Sequence, residues 1–129
     1  MQPRKLATLA RGACEEKQGG NVIVLDLRRL NTIASYFVIS SGNSDRHVRA
    51  IADNVTFRLE EQKIKGRHVE GKDDARWILL DYVDVIVHVF HHETRNFYNL
   101  ERLWGHAPRL PRGADTRGPS GPLVGPPRV

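Results

Sequence analysis

Ser41-Gly42-Asn43-Ser44 stands between a β-branched run and a helical pattern, a setting in which free backbone N–H groups and the helix dipole can hold a phosphate. The stretch lacks the lysine and the glycine spacing of phosphate-cradling loops, and a turn followed by a helix cap accounts for it. Asp81 and Asp84, with Asp73 and Asp74 upstream, could supply paired carboxylates to a magnesium-dependent transferase or hydrolase. The same aspartates suit strand ends and tight turns, where a carboxylate accepts from nearby backbone N–H groups. His88, His91 and His92, followed by Glu93, raise the question of a metal. On a strand, side chains two apart share a face, so His88 and His92 align only if the strand reaches that far, and His91 points away. Neither a cysteine pair nor an H-E-x-x-H arrangement supports a metal. Cys14 falls on the apolar face of a predicted helix, which makes it a small buried side chain rather than a nucleophile. These residues therefore assign no catalytic, cofactor or metal site. A small magnesium-dependent nucleotidyltransferase, with Ser41 to Ser44 on phosphates and Asp81 and Asp84 on metal, is the alternative they leave.

A different chemistry is better represented. Trp77, Tyr82, Arg95, Phe97, Tyr98, Arg102 and Trp104 gather near the ends of predicted segments. Tryptophan, tyrosine and arginine are enriched at protein–protein hot spots because they bury much area and keep a polar handle. Their gathering points to a binding module.

The elements that must position these residues follow from periodicity. Leu6, Leu9, Ala10, Ala13 and Cys14 share one face of a helix over residues 4–18, stopped by Gly19-Gly20. Val22 to Leu25 and Tyr36 to Ser40 read as strands covered on both faces, close enough to pair. Val48, Ile51, Ala52, Val55 and Leu59 keep a helical period, with Asn43 or Ser44 placed to cap. A short extended piece, Arg67 to Val69, leads to Glu70-Gly71. Trp77 to Asp81 and Val85 to Phe90, joined through Tyr82-Val83-Asp84, read as an antiparallel hairpin. Glu93 to Trp104 predicts one or two short helices, closed by Pro108. The sum is an α/β fold: a mixed, roughly five-stranded sheet flanked by helices.

The 129 residues, 40% hydrophobic and 27% charged, are the composition of one globular domain. A lone cysteine excludes an intramolecular disulfide and fits a reducing compartment. The longest apolar stretch, Ile78 to Phe90, is interrupted by Asp81, Asp84 and His88 and falls short of the roughly twenty residues of a membrane span. With no apolar leader after Met1, the expectation is a cytoplasmic protein that does not engage a membrane. The net charge of +5 divides unevenly: residues 1–108 carry +2 and residues 109–129 carry +3. The second segment holds four glycines and five prolines, with Leu110, Leu123, Val124 and Val129 as its large aliphatic residues, which predicts a domain over 1–108 and a flexible Gly/Pro/Arg-rich tail over 109–129.

Over roughly residues 4–108 the chain resembles the ribosomal silencing factors, the Iojap-related proteins. The resemblance rests on an ordered series: Tyr36-Phe37-Val38-Ile39 with Ser41-Gly42 and Ser44, Arg46-His47-Val48, Ala50-Ile51-Ala52-Asp53 and Glu70-Gly71. It continues through Trp77-Ile78-Leu79-Leu80-Asp81-Tyr82, Asp84 to Phe90, then Arg95, Phe97-Tyr98, Leu100-Glu101 and Leu103-Trp104. Ser35 stands where the family usually has aspartate, and Val83 where it usually has glycine.

The resemblance implies a nucleotidyltransferase-like shape without its active site, in a non-catalytic factor that needs no cofactor. It implies docking on the large ribosomal subunit through ribosomal protein L-fourteen, a steric block to small-subunit joining, repression of translation when nutrients are limiting, and a homodimer when free. Residue type and position nominate Trp77, Tyr82, His88, Arg95, Tyr98 and Trp104 as partner contacts, with Glu70 and Asp81 as polar partners. The tail is a candidate for peripheral contact with ribosomal RNA.

Overall fold

The computed structural model describes residues 1–30, 34–98 and 107–111, with the backbone alone at 96–98. The first helix, α1 (Pro3–Glu16), starts on a proline, whose missing N–H costs nothing in a first turn. It buries Leu6, Ala7, Ala10, Ala13 and Cys14, small side chains that let its backbone approach its neighbours. Strands β1 (Gly20–Asp26) and β2 (Tyr36–Gly42) follow and pair, as their closeness predicts, and the pairing is antiparallel.

Helix α2 (Asp45–Glu61) realises the helical period at Val48 to Leu59. Ser44 is its N-cap, the hydroxyl accepting from the His47 N–H at 3.1 Å. The chain then forms β3 (His68–Glu70), β4 (Trp77–Asp81), β5 (Val85–His91) and a short helix α3 (His92–Tyr98). Residues 99–106, the rest of the predicted helical stretch, lie outside the described residues.

The sheet is mixed and five-stranded, in the order β1-β2-β5-β4-β3. β2 and β5 run parallel at its centre, Tyr36 beside Val85 through Gly42 beside His91. The hairpin β4–β5 and the edge pair β3–β4 are antiparallel. Parallel neighbours need a crossover, which α2 supplies together with β3 and β4.

Both long helices cover one face of the sheet. Val24, Tyr36, Val38, Ile78, Leu80, Val85, Val87 and Val89 point into it and meet Val48, Ile51, Val55 and Leu59 of α2 and the small face of α1. Each such large apolar side chain, fully buried, contributes about 1.5–3 kcal/mol. Two polar ties lock the helices. Asn54 of α2 donates from Nδ2 to the Ala13 carbonyl of α1 and to Glu16 Oε1, both at 2.8 Å. Cys14 is buried beside Ser40, and burial pushes its thiol up to about 12, the condition of an inert packing group.

Pairing does not stop at Pro108. Asp26 N–H donates to the Pro108 carbonyl at 2.7 Å, Leu110 N–H donates to the Val24 carbonyl at 2.8 Å, and Leu110 is buried. Arg11 then donates from Nη2 to the Leu110 carbonyl at 2.8 Å. The ordered part thus runs at least two residues into the segment predicted to be a tail, because the outer edge of β1 offers backbone partners that composition does not reveal. Residues 112–129 lie outside the described residues. Among the described residues no helix is long and apolar enough to cross a membrane.

Candidate docking face

Strand alternation builds a second surface on the side of the sheet away from α1 and α2. Phe37 and Ile39 of β2, Ile86, His88 and Phe90 of β5, and Trp77, Leu79 and Asp81 of β4 share it by register, and β3 adds His68 beside Asp81 and Glu70 beside Leu79. Toward β1 this face is packed by Ile23, Leu25, Leu27 and Ala107. Toward β3 it becomes more open: Trp77, Leu79 and Asp81 of β4 are half-buried, as is Phe37 of β2, and His68 and Glu70 are exposed.

The connection before β4 decides where Trp77 sits. Gly71 has φ +88°, and a Cβ there would run into the Trp77 carbonyl oxygen. Only glycine fits this combination of left-handed backbone and close approach. The loop is tied to α2, since Arg49 donates to the carbonyls of Lys72 and Asp73 and the Lys72 ammonium lies 2.9 Å from the Asp53 carboxylate. At the far end the Asp74 carboxylate accepts from the Arg76 N–H, and the His91 N–H donates to the Arg76 carbonyl. Trp77 is therefore delivered onto the sheet from a restrained loop.

Its ring joins an aromatic cluster. The indole lies 4.8 Å from Phe90, centroid to centroid, and 5.9 Å from His88, and Phe37 meets His88 edge-on at 4.5 Å. Trp77 Nε1–H donates to His88 Nδ1 at 3.1 Å. His88 is 4% exposed, and burial pushes its pKa down to about 4, so the ring is neutral.

The rim is polar. Burial works to raise the Asp81 carboxyl, but the Arg67 guanidinium at 2.8 Å and the Val83 N–H at 2.8 Å outweigh it and hold the group below the usual carboxylate range. Glu70 and His68 face each other at 2.8 Å along the open edge strand.

Of the residues nominated from sequence, Trp77, His88, Asp81 and Glu70 come together on this face. Tyr82 does not: it is buried in the helix-side core, and burial raises its pKa. Arg95 is buried at the end where Ser41 flanks Phe90, donating to the Gly20 carbonyl at 3.1 Å and to Ser41 Oγ at 3.3 Å. Tyr98 lies on α3, in the stretch where the backbone alone is described, and Trp104 lies outside the described residues. Phe37, Leu79, Ile86, Phe90 and Gly71 were not nominated. Alternation out from Trp77 and His88 was the available signal for Leu79, Ile86 and Phe90, whereas Phe37 joins them only through the β2–β5 register.

The groups that suggested chemistry have structural employment. Ser44 caps α2, and Gly42 lets the chain pass the start of α2, where a Cβ would lie 2.9 Å from the Val48 nitrogen. Asp81 holds the hairpin turn. Among the described residues no group of three His, Cys, Asp or Glu side chains is placed to hold a metal ion.

The family model described as "Ribosomal silencing factor during starvation" matches residues 1–121. The chain belongs to the ribosomal silencing factor family. It is similar to the ribosomal silencing factor of Bacillus subtilis, 43% identical over 108 residues that cover 84% of this chain and 92% of that one. Among solved structures it is similar to a crystal structure of a Chromobacterium violaceum protein, with a TM-score of 0.79 and 30% identity over 96% of this chain and 95% of the other. A mouse protein named for mitochondrial assembly of the ribosomal large subunit is 36% identical over 72 residues, 54% of this chain and 32% of its own length. The mixed five-stranded sheet with flanking helices, expected from the periodicity of the sequence, is thus shared with the family's solved structures.

Proposed function

We propose that the chain represses translation by docking its outer sheet face on the large ribosomal subunit, through ribosomal protein L-fourteen, and so excluding the small subunit. The observation that carries this reading is the aromatic patch of Trp77 with Phe37, His88 and Phe90, bordered by Glu70 and Asp81. An apolar aromatic centre inside a polar rim is the anatomy of a protein-binding surface, and the rim's Arg67–Asp81 and His68–Glu70 pairs would set register with a partner. The family's name supports the ribosome as target, and the large-subunit name of the mouse relative supports the choice of subunit.

Silencing of this kind needs occupancy and bulk, with no covalent step, so the chain is read as a regulator rather than an enzyme. Tyr98 and Trp104 are proposed to extend the contact, the arginines after residue 111 to touch ribosomal RNA, and the free protein to form a homodimer. The setting is cytoplasmic, during nutrient limitation.

Co-sedimentation with separated subunits at physiological salt tests the reading. Wild type is expected on large subunits alone and to reduce subunit joining. Trp77→Ala is expected to weaken binding by about thirtyfold or more, the equivalent of a hot-spot loss of about 2 kcal/mol. Equal binding to both subunits, or none, overturns it.

A further inference from the structure

Trp77 and His88 are diagonal neighbours across the β4–β5 pair, since Trp77 lies opposite Phe90 and Leu79 lies opposite His88. An indole nitrogen is a donor only, so in their 3.1 Å bond His88 Nδ1 supplies the lone pair. In a neutral ring the proton then sits on Nε2. That nitrogen is buried and finds no hydrogen-bond partner among the described residues. An unmet buried donor costs about 1–3 kcal/mol, a cost that leucine or phenylalanine at the same inward position, among Phe37, Phe90 and Trp77, does not carry. An imidazole here is therefore poor as core material, and what it adds over an apolar residue is the acceptor aimed at the indole.

We propose that His88 is the positioning residue of the docking face, fixing the Trp77 indole by engaging its N–H from within the sheet, so that a partner meets apolar ring surface and supplies no acceptor of its own. The bond restrains the indole's rotation about its own stem, and Phe90, 4.8 Å away, backs the ring. A rigid anchor loses little entropy on binding, which is how a half-buried aromatic becomes a strong contact. With its polar handle already used, the indole selects a partner by shape and apolar area.

The inference rests on the docking reading above, and its test separates the two. Amide and indole hydrogen exchange by nuclear magnetic resonance is read on the free protein, the Trp77 indole signal being assigned from Trp77→Phe, since the chain has two tryptophans. Large-subunit affinity is read alongside for wild type, His88→Leu, His88→Asn, Trp77→Phe and the double variant Trp77→Phe/His88→Leu. The amide of His88→Asn offers a carbonyl oxygen near the position of Nδ1. Expected are a protected indole N–H in wild type and His88→Asn, fast exchange in His88→Leu, and an affinity loss of about tenfold in His88→Leu that His88→Asn largely restores. Trp77→Phe, which gives up the same bond, is expected to lose about as much as His88→Leu, well short of Trp77→Ala, and His88→Leu to cost nothing more on that background.

A Trp77→Phe loss as large as that of Trp77→Ala overturns the inference, because the N–H would then serve the partner. So does an indole N–H equally protected in His88→Leu and wild type. Undiminished docking of Trp77→Ala instead defeats the docking reading, and the free-protein exchange still decides whether His88 holds the indole.

Discussion

Acidification from pH 7 to pH 5 is expected to destabilise this fold through one side chain, His88. Its folded pKa lies near 4 because burial among Phe37, Trp77 and Phe90 disfavours the charged ring, against an ordinary value of 6.5. The unfolded chain therefore takes up a proton that the folded chain refuses. The sign follows: the contribution is whole above pH 6.5, falls as the pH drops below it, and is exhausted below about pH 4, where both states carry the proton. At pH 5 the loss is about 2 kcal/mol, and it approaches about 3 kcal/mol at the lower limit. Glu16, Asp26 and Asp81 do not imitate it, since their folded pKa values are lowered and their contributions disappear only below the ordinary carboxylate range. Urea unfolding followed by far-ultraviolet circular dichroism, for wild type and His88→Asn at pH 7 and pH 5, isolates the term. The variant starts less stable, having lost packing, but between the two pH values wild type should fall by about 2 kcal/mol more than the variant. Equal falls in the two proteins would refute the argument that burial holds His88 neutral.

The other expectations concern backbone and caps, each read by the same unfolding assay. Val83→Gly should stabilise by about 0.5–1 kcal/mol: Val83 is exposed and sits at φ +73°, where a β-branched residue is strained by about 1–2 kcal/mol, more than glycine's added chain entropy. Gly71→Ala should cost at least about 2 kcal/mol, since the left-handed backbone and the Trp77 carbonyl both exclude a Cβ, and the displaced tryptophan should weaken large-subunit binding as well. Asn54→Ala should cost about 1–2 kcal/mol by leaving the Ala13 carbonyl without its partner from α2.

Much of the architecture was readable from local pattern. The period of Val48, Ile51, Val55 and Leu59, with Ser44 before it, was enough for α2, and short runs of β-branched, aromatic and other apolar residues were enough for β1, β2, β4 and β5. The hairpin survived the Val83 departure because the Asp81 carboxylate accepts from the Val83 N–H and Tyr82 N–H donates to the Val85 carbonyl, holding a turn whose natural occupant is glycine. Tyr82 was legible too: alternation from Trp77 sends Ile78, Leu80 and Tyr82 to one side and Leu79 and Asp81 to the other. What local pattern lacks is partnership at a distance. Nothing near Phe37 in the sequence says that β2 lies beside β5, and nothing near Leu110 says that it closes onto Val24. Gly71 reads as an ordinary turn until the Trp77 carbonyl is seen against it.

The closing of β1 by residues 107–110 has a meaning for how the molecule comes into being. Synthesis delivers β1 early and the segment that shields part of its outer side only after every other strand has been made. Until then the backbone donors and acceptors of residues 24–26 on that side stand open to any passing extended chain. A message cut short before codon 107 would yield a product with its helices and central strands intact but one side unsealed. Such fragments should be found clumped or degraded rather than as weakened repressors.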